Sequence, residues 1–278
     1  MSVTVVGSVN LDLVAALPRL PDRGETLIAT GLTRTPGGKG ANQALAARRL
    51  GLPVRLLAAV GTDPEADAAL DLLRREGVTL DRLQRVTEPT GLALIAVDTA
   101  GETTIVVVPG ANAALQVDPQ DVAGAEAVLT VLEVPERAVV AAAQHATGLF
   151  VLNASPARPV PPDVLARADL VVVNRAERAA LPGLHAARAL AVTDGPRGAV
   201  LLREGQQVAT ALPPRVTAVD GTAAGDAFIA AALAGLLHGL PDAELLARAC
   251  AAGALAATRP GAQPSLPTAA EIDEVLAR

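Results

Sequence analysis

One carboxylate, Asp226, follows a run of small residues in the segment GTAAGDAF, residues 221–228, at the start of an apolar helix. Aspartate is a preferred helix N-cap, so this side chain could simply cap the helix. A cap does not require small residues before it, and such residues leave the backbone N–H groups of 223–226 open to an anion. A carboxylate beside them suits phosphoryl transfer, because it removes a hydroxyl proton while the N–H groups stabilise the transferred charge. Asp220, upstream, is a second carboxylate that suits a hard cation.

A second glycine-rich segment, PGGKGANQ at residues 36–43, surrounds Lys39, the only lysine in the sequence. It is not a Walker A P-loop, because Thr33 stands where that motif needs a glycine and Gly40 where it needs Ser or Thr. The glycines allow the backbone to approach another group closely, and Asn42 would face the same space from the first helical turn. A simple glycine-rich helix start does not account for the retained lysine, so a functional site is favoured.

Polar residues also follow the predicted strands, at the sheet edge where parallel sheets bind ligands. Asn10 and Asp12, in GSVNLD, would sit at the carboxyl end of the first strand and point the same way, which suits vicinal hydroxyls. Gly7 is the only glycine of a G-x-G-x-x-G fingerprint here, so a nicotinamide-dependent dehydrogenase is not supported. A polar turn is an equally good interpretation of this pair alone. Further strand-end polar residues are Glu133, Asn153, Asn174 with Glu177, and Thr193.

The composition excludes several functional classes. Aromatic residues make up 1% of the 278 residues and the net charge is −6, so neither base stacking nor a basic face supports a nucleic-acid partner. The single cysteine, Cys250, excludes an internal disulfide and a multi-cysteine metal cluster. The N-terminus MSVTVVGSVN has no signal-peptide character, and no apolar stretch reaches the length of a membrane span. We therefore expect a soluble, cytoplasmic protein without a membrane partner.

The order of the predicted elements indicates an α/β fold. Short β-branched runs such as residues 3–6 alternate with helical patterns, which predicts a mostly parallel central sheet with helices on both faces. A strand is also predicted over 54–60. Residues 12–35 and 90–110 interrupt the alternation with β-rich sequence, including a hairpin about DTAGE, and we expect them to form a small β-sheet lid. No linker is evident, so residues 1–278 are predicted to form a single domain.

Seven segments together resemble the ribokinase-like (PfkB) carbohydrate kinases, in the order expected for that family. They are GSVNLD, GGKGANQ, NASPAR, VVVNRAE, TDGPRG, GTAAGDAF and RPGAQPS. The resemblance runs from Val3 to the C-terminal helix, and the glycine–lysine segment and AAGD are its most specific parts. It implies a ribokinase-like fold, the use of ATP with Mg²⁺ and K⁺, phosphorylation of D-ribose at its 5-hydroxyl, and a homodimer formed through the lid.

The resemblance also implies a role for individual residues. Asp226 would be the catalytic base, and the anion hole would be supplied by Ala223, Ala224 and Gly225. The implied sugar-binding set is Asn10, Asp12, Gly38, Lys39, Asn42, Glu133 and Asp226. The implied ATP and magnesium side is Asn174, Glu177, Thr193, Asp194, Gly195, Gly198, Gly225 and Cys250. The implied potassium site, made largely of carbonyl oxygens, is Asp220, Thr222, Ala256, Arg259, Gly261 and Ser265.

Some positions depart from the family pattern without removing a catalytic group. Gly221 replaces the usual Thr or Ser and could loosen the potassium loop, and Ala227 replaces a common Thr after the base. The stretch 178–192 is short for this family, and Cys250 occupies the place of an adenine-contacting residue. Kinases for deoxyribose, fructose or adenosine, or a catalytically silent sugar-binding protein, are the alternatives. The near absence of aromatic residues weighs against a nucleoside, whose base would need a stacking partner.

Overall fold

The computed structural model describes residues 2–278. The strands are β1 (Val3–Val6), β2 (Asn10–Ala16), β3 (Gly31–Gly37), β4 (Val54–Leu57), β5 (Ala59–Val60), β6 (Gln84–Arg85), β7 (Gly91–Val97), β8 (Thr103–Val108), β9 (Ala127–Val131), β10 (Leu149–Asn153), β11 (Leu170–Asn174), β12 (Ala189–Thr193), β13 (Ala199–Arg203) and β14 (Gln206–Ala211). The α-helices are α1 (Lys39–Arg49), α2 (Pro64–Arg75), α3 (Pro119–Val122), α4 (Glu136–His145), α5 (Pro162–Arg167), α6 (Arg175–Ala180), α7 (Ala224–Leu237), α8 (Asp242–Ala256) and α9 (Ala269–Leu276).

The central sheet has eight strands in the order β14-β13-β12-β11-β10-β9-β1-β4. The pairings from β4 to β12 are parallel, and β13 and β14 extend one edge in antiparallel orientation. Successive side chains of a strand point to opposite faces, so Val5 packs in a core with α1, α2, α7 and α8, whereas Val6 packs in a core with α3, α4 and α5. The predicted α/β fold with helices on both faces is therefore confirmed.

A separate sheet of four strands, in the order β3-β2-β7-β8, is formed by the two β-rich interruptions. We refer to it as the small sheet. Its central pair, β2 and β7, is parallel, and both outer pairs are antiparallel, including the predicted hairpin of β7 and β8. The predicted strand over 54–60 is divided, because the chain leaves the central sheet after Leu57 and pairs with β6 from Ala59.

The position of Asn10 and Asp12 differs from the prediction. Strand β1 ends at Val6, and both residues lie in β2, the strand through which the chain enters the small sheet. The hydrophobic pattern could not show this, because a turn of three residues is enough to transfer the chain from one sheet to another. Both side chains still point the same way, as expected for positions two residues apart in a strand.

Helices α7 and α8 approach each other closely because small residues line their contact. A Cβ at Gly253 would lie 3.0 Å from the carbonyl oxygen of Ala224, and a Cβ at Gly235 would lie 2.9 Å from Cγ of Leu245. This contact fixes the N-terminus of α7, where Asp226 lies. Of the helices within residues 2–278, none combines the length and apolar character that crossing a bilayer requires.

Candidate active site

The glycine-rich turn before α1 packs directly on the connection that follows β1. A Cβ at Gly40 would lie 2.5 Å from the Cα of Gly7, so Gly40 has no room for a side chain. Gly38 has a φ of +87°, a left-handed value that glycine adopts without strain, and a Cβ there would lie 2.7 Å from the amide nitrogen of Asn10. The group that this backbone approaches is therefore the protein's own chain. The contact holds Lys39 beside the start of β2.

Substitution of Gly40 by alanine should displace this turn. The added Cβ would meet backbone atoms of Gly7 and Ser8, which cannot move aside as a side chain could. We expect a loss of roughly 1–3 kcal/mol in the free energy of unfolding, the usual cost of overpacking. Urea unfolding would measure this loss. The control is Gly31→Ala, where no atom lies within 4 Å of the new Cβ, and equal effects of the two variants would contradict the steric argument.

Asp226 lies in the first turn of α7 but does not cap it. The N-cap residue is Ala223, which has a left-handed φ of 60° and makes no side-chain capping bond. The Asp226 side chain is 5% exposed and turns toward α1 instead. Its Oδ2 accepts a hydrogen bond from Nδ2 of Asn42 at 3.0 Å, and its Oδ1 accepts one from Nε2 of Gln43 at 2.8 Å. The interpretation of Asp226 as a helix cap is therefore wrong.

The surroundings of Asp226 affect its pKa in opposite directions. Burial raises the pKa of the carboxyl group, and the negative charge of Glu133 raises it further. The positive charge of Lys39 and the hydrogen bonds from Gln43 and Asn42 lower it, and the net direction is upward. A raised pKa makes the Asp226 carboxylate a stronger proton acceptor.

The start of α7 presents backbone N–H groups beside this carboxylate. The first N–H groups of an α-helix have no acceptor within the helix, and the helix dipole makes this end favourable for anions. Ala223 and Gly225 line the cavity that Asp226 faces. The N–H group of Ala224 already donates to the carbonyl oxygen of Gly221 at 3.3 Å. The helix start therefore places a carboxylate beside backbone N–H groups, and an anion hole at this point stays a prediction.

Asp12 projects from β2 into the same cavity. Its side chain is 7% exposed, and its Oδ1 has no hydrogen-bond partner among the described residues. Burial, followed by the negative charges of Glu133 and Asp226, raises its pKa from 3.8 to about 7, while Lys39 opposes the rise. A Cβ at Gly37 would overlap this carboxylate, so a larger residue at that position of the neighbouring strand β3 would displace the Asp12 side chain. An unpartnered acceptor at this position is suited to a hydroxyl group of a ligand.

Asn10 is held in place by a residue from the loop after β8. Nδ2 of Asn112 donates to Oδ1 of Asn10 at 2.8 Å, and the Asn112 amide also bonds to the backbone N–H and carbonyl groups of Val9. Asn112 is 2% exposed, so these bonds are formed away from water. They leave the amide nitrogen of Asn10 available to the cavity.

Glu133 supports the glycine-rich turn. Its Oε2 accepts a hydrogen bond from the backbone N–H of Lys39 at 3.0 Å and another from the hydroxyl group of Ser8. One oxygen of the carboxylate therefore fixes the turn, and the other remains for a ligand. Glu133 lies on the cavity wall with Lys39, whose pKa is raised because nearby carboxylates outweigh the effect of its burial.

These side chains line one cavity of about 430 Å³ between the central sheet and the small sheet. The predicted residues that it brings together are Asn10, Asp12, Lys39, Asn42, Glu133, Asn153, Asn174, Glu177, Thr193, Thr222, Ala223, Gly225 and Asp226. The small sheet contributes an apolar wall of Ala93, Ile95, Ile105 and Val107. The cavity thus pairs a polar floor with an apolar cover, which is the usual character of a small-molecule site.

A second cavity of about 730 Å³ adjoins the first and shares Thr193, Gly221 and Gly225 with it. Its walls are mostly small or apolar, and they include Gly195, Pro213, Pro214, Val216, Ala218, Phe228 and Gly253. Cys250 also lines it, and burial raises the pKa of the thiol to about 11, so the group stays neutral. The second cavity is an apolar slot, and the N-terminus of α7 separates it from the polar floor of the first cavity.

The remaining residues of the predicted ATP side have structural bonds of their own. Asn174 and Glu177 form a reciprocal capping box at the start of α6, with both bonds at 2.8 Å. Asp194 pairs with arginines at 175 and 197, which lowers its pKa to about 2, and it lines neither cavity. Gly198 is likewise absent from both walls, and its φ of +91° closes the turn that holds Thr193 and Gly195.

The predicted potassium residues lie on two segments that are bonded together. Asp220 accepts hydrogen bonds from Thr222 through Oδ1 and from the backbone N–H of Gly261 through Oδ2 at 2.8 Å. The carbonyl oxygen of Ala257 accepts from the N–H of Asp220, which places the end of α8 beside the same loop. The side chain of Arg259 bonds to Glu271 instead, and the hydroxyl group of Ser265 donates to the carbonyl oxygen of Ala262. A carbonyl-rich loop with one carboxylate has the oxygen donors that a hard cation prefers. Within residues 2–278, no three His, Cys, Asp or Glu side chains cluster as a metal site by themselves.

Three residues of the site were not identified from the sequence. Gln43 holds Asp226, Asn112 holds Asn10, and Ser8 holds Glu133. All three are polar and nearly or fully buried. The one signal available in the sequence was a glutamine immediately after Asn42, within an otherwise alanine-rich helix. Their partners lie about a hundred residues or more away, so no local pattern could have paired them.

The fold and the site together define a class of protein. A buried carboxylate at a helix N-terminus lies between a polar cavity and an apolar slot, at one edge of a mostly parallel sheet. The chain belongs to the pfkB family of carbohydrate kinases, whose family model matches residues 1–269. It is therefore a carbohydrate kinase.

The relatives and the solved structures to which it is similar include ribokinases. The chain is 34% identical to the ribokinase of Bacillus subtilis, and the match covers 99% of both chains. Its structure matches the crystal structure of ribokinase from Thermotoga maritima with a TM-score of 0.91 and 29% identity, over 100% of both chains. It matches Arabidopsis thaliana ribokinase complexed with ribose and ATP with a TM-score of 0.90 and 28% identity, over 99% of this chain and 98% of the other.

Proposed function

We propose that this kinase transfers the terminal phosphoryl group of ATP to the 5-hydroxyl of D-ribose, giving ribose 5-phosphate and ADP. The observation that carries the proposal is the buried carboxylate of Asp226 at the start of α7, on the wall of a polar cavity that adjoins an apolar one. The similarity over the full chain to a ribokinase complexed with ribose and ATP supports both substrates.

The sugar would occupy the polar cavity. The unpartnered Oδ1 of Asp12 would accept a hydrogen bond from a ring hydroxyl group. The side-chain N–H of Asn10 would donate to the oxygen of the neighbouring hydroxyl group. Lys39 and Glu133 would bind the remaining oxygens, and Asn42 would hold the sugar against the base. The apolar wall of the small sheet would cover the carbon face of the ring. This orientation would direct the terminal hydroxyl to Oδ2 of Asp226.

The chemical step needs a proton acceptor and stabilisation of charge. Asp226 would take the proton of the 5-hydroxyl as its oxygen attacks the terminal phosphorus. The bond from that phosphorus to the bridging oxygen of ATP breaks, and ADP leaves with the electron pair. The backbone N–H groups of Ala223 and Gly225 would bind the oxygens of the transferred group, because they lie at the positive end of α7. The N–H group of Ala224 would join them by exchanging its hydrogen bond with the carbonyl oxygen of Gly221.

The apolar cavity would bind the nucleotide. A flat base fits between small and apolar side chains, and the triphosphate would then run along Thr193 and Gly195 toward Gly225, which both cavities share. Cys250 would face the base with a neutral thiol, a weaker hydrogen-bonding group than an amide or carboxylate.

Two cations are part of this proposal. Asn174 and Glu177 offer oxygen atoms at the cavity wall, where they would hold Mg²⁺ through water. Mg²⁺ neutralises phosphate charge when it is bound. The loop that joins Asp220, Thr222 and Gly261 offers the oxygens for K⁺, and its connection to the start of α7 would keep the anion hole in place.

The test is the release of ADP from ATP and Mg²⁺ with ribose, deoxyribose, fructose and adenosine, each in K⁺ and in Na⁺. We expect turnover with ribose to exceed turnover with the other acceptors and to rise in K⁺. Faster turnover with another acceptor would replace ribose as the substrate. No turnover with any acceptor, together with a higher melting temperature in ribose, would indicate a silent sugar-binding protein instead.

We also propose that the small sheet pairs with a second copy of the chain. Its strands alternate, so Ile105 and Val107 face the cavity, whereas Val106, Val108 and Leu94 face away from it. These outward side chains are 42–56% exposed, which leaves an apolar surface open to solvent. Such a surface marks an interaction site, and the homodimer implied by the family resemblance would cover it.

Replacement of Val106 by glutamate should separate the proposed dimer. A carboxylate in an apolar interface would have to lose its hydration without a partner, which costs several kcal/mol. Light scattering after size exclusion is expected to change from the mass of two chains to the mass of one. The matched control is Val208→Glu, an exposed valine on the edge strand β14, which should leave the mass unchanged. A wild-type protein that runs as a monomer would exclude the dimer.

A further inference from the structure

Gln43 is a fully buried residue that contacts the carboxylate of Asp226 from behind the sugar cavity. It follows Asn42 in α1, and its side chain is 0% exposed. Its Nε2 donates to Oδ1 of Asp226 at 2.8 Å, while the amide of Asn42 donates to Oδ2 at 3.0 Å. Each oxygen of the carboxylate therefore has one amide donor from α1.

The two amides differ in their access to a ligand. Asn42 lines the sugar cavity, whereas Gln43 does not. A sugar hydroxyl can therefore reach Oδ2 beside Asn42, but Oδ1 lies on the Gln43 side. A carboxylate is planar, so a fixed Oδ1 also determines the direction in which Oδ2 points. Without the donor on Oδ1, the group could rotate about its Cβ–Cγ bond and lose its alignment with the hydroxyl.

The Gln43 amide has one productive orientation. Its Oε1 has no hydrogen-bond partner among the described residues, and a turned amide would place that oxygen against the Asp226 carboxylate. Only the N–H side can face Asp226 favourably. A buried carboxyl oxygen without a donor would favour the protonated form of the acid, which cannot accept a proton from the sugar.

We infer that Gln43 is a positioning residue for the proton acceptor: it orients the Asp226 carboxylate toward the sugar hydroxyl and keeps it ionised, without contacting the sugar. The inference rests on the proposed function, since it gives Asp226 the role of base. The other charged groups that face Asp226 are Lys39, Glu133 and Asp12, and all of them come from elements other than α7. Gln43 differs from them because it is neutral and makes a direct hydrogen bond.

The test compares wild type with Gln43→Met, which keeps the length of the side chain and removes the donor. With the best acceptor found for wild type, we expect kcat to fall about 10- to 100-fold, as for a misaligned catalytic group. In wild type, the hydrogen bond from Gln43 lowers the pKa of Asp226. Its removal should raise that pKa, so the acid limb of the pH profile of kcat/KM should move to higher pH. The Kd for sugar should stay within about threefold of wild type, because Gln43 does not line the cavity.

A matched control and a second variant make the result decisive. Gln263→Met replaces another fully buried glutamine, which has no contact with Asp226, and it should leave the acid limb in place whatever its effect on melting temperature. Gln43→Glu keeps the length and adds a charge, so its acid limb should move further than that of Gln43→Met. A folded Gln43 variant with the kcat and acid limb of wild type would overturn the inference, and so would loss of folding in both variants. An inactive wild type would instead refute the proposed function.

Discussion

Asp226→Asn is expected to lower turnover by about 10²- to 10⁴-fold, the usual contribution of a positioned general base. Asparagine has nearly the volume of aspartate but cannot accept the proton of a hydroxyl group. The variant should stay folded, because burial already disfavours the charge that it removes. It should also bind sugar, because Asn10, Asp12, Lys39 and Glu133 are unchanged. Single-turnover phosphorylation, melting temperature and calorimetric sugar titration would measure the three properties separately.

The control for this substitution is another buried carboxylate. Asp121, 7% exposed, accepts a hydrogen bond at the start of α3 and lines neither cavity. Asp121→Asn should retain turnover even if it loses some stability. Near-normal turnover of Asp226→Asn would show that another group takes the proton. An unfolded Asp226→Asn would show that the carboxylate is needed for the fold.

Asp12→Asn should weaken sugar binding and stabilise the protein at high pH. The Asp12 carboxylate would accept hydrogen bonds from sugar hydroxyl groups, and asparagine replaces one acceptor oxygen with a donor group. A hydrogen bond to a charged group contributes about 1.5–3 kcal/mol, so KM for sugar should rise roughly 10- to 150-fold. The expected gain in stability at high pH follows from the raised pKa of Asp12.

The sign of the stability effect is set by the two pKa values of Asp12. The pKa is 3.8 in the unfolded chain and about 7 in the fold, so the folded state binds the proton more tightly between these values. The contribution of Asp12 to the stability of the wild type is therefore greatest below pH 3.8 and falls as the pH rises to about 7. Across this pH range the wild type loses on the order of 4 kcal/mol of the free energy of unfolding through Asp12. Asp12→Asn has no such group and does not lose it.

Urea unfolding of wild type and Asp12→Asn at pH 5 and pH 8 would test this expectation. The comparison cancels the titration of groups that both proteins share. From pH 5 to pH 8, the free energy of unfolding of Asp12→Asn should rise relative to that of wild type. A stability difference that does not depend on pH would show that Asp12 keeps an ordinary pKa in the folded protein.

Much of the fold followed from local patterns. Buried β-branched runs alternating with helices predicted the central sheet, and the DTAGE turn predicted the hairpin of β7 and β8. The small residues before Asp226 also marked the start of α7. These features depend on residues close together in the chain, so spacing and residue type were sufficient to identify them.

Other features depend on contacts between distant parts of the chain. The sequence could not show that β2 leaves the central sheet, because the apolar spacing of a strand does not say which strand will pair with it. Nor could it assign Gln43 or Asn112, whose partners are 183 and 102 residues away. The cap interpretation of Asp226 failed for the same reason, since the donors that decide its role come from α1.

Strand β2 lies between β3 and β7 in the small sheet and carries side chains on both of its faces. Asn10 and Asp12 point toward the polar cavity, and Leu13 lies on the opposite face with Leu94 and Val106, which are exposed. Because the same strand carries both sets of side chains, we expect a change in the packing of the outer surface to reach Asn10 and Asp12. If a second copy covers that surface, the rate per active site becomes a function of protein concentration. Enzyme diluted below the dissociation constant of the pair would then lose affinity for its substrate before it loses its fold.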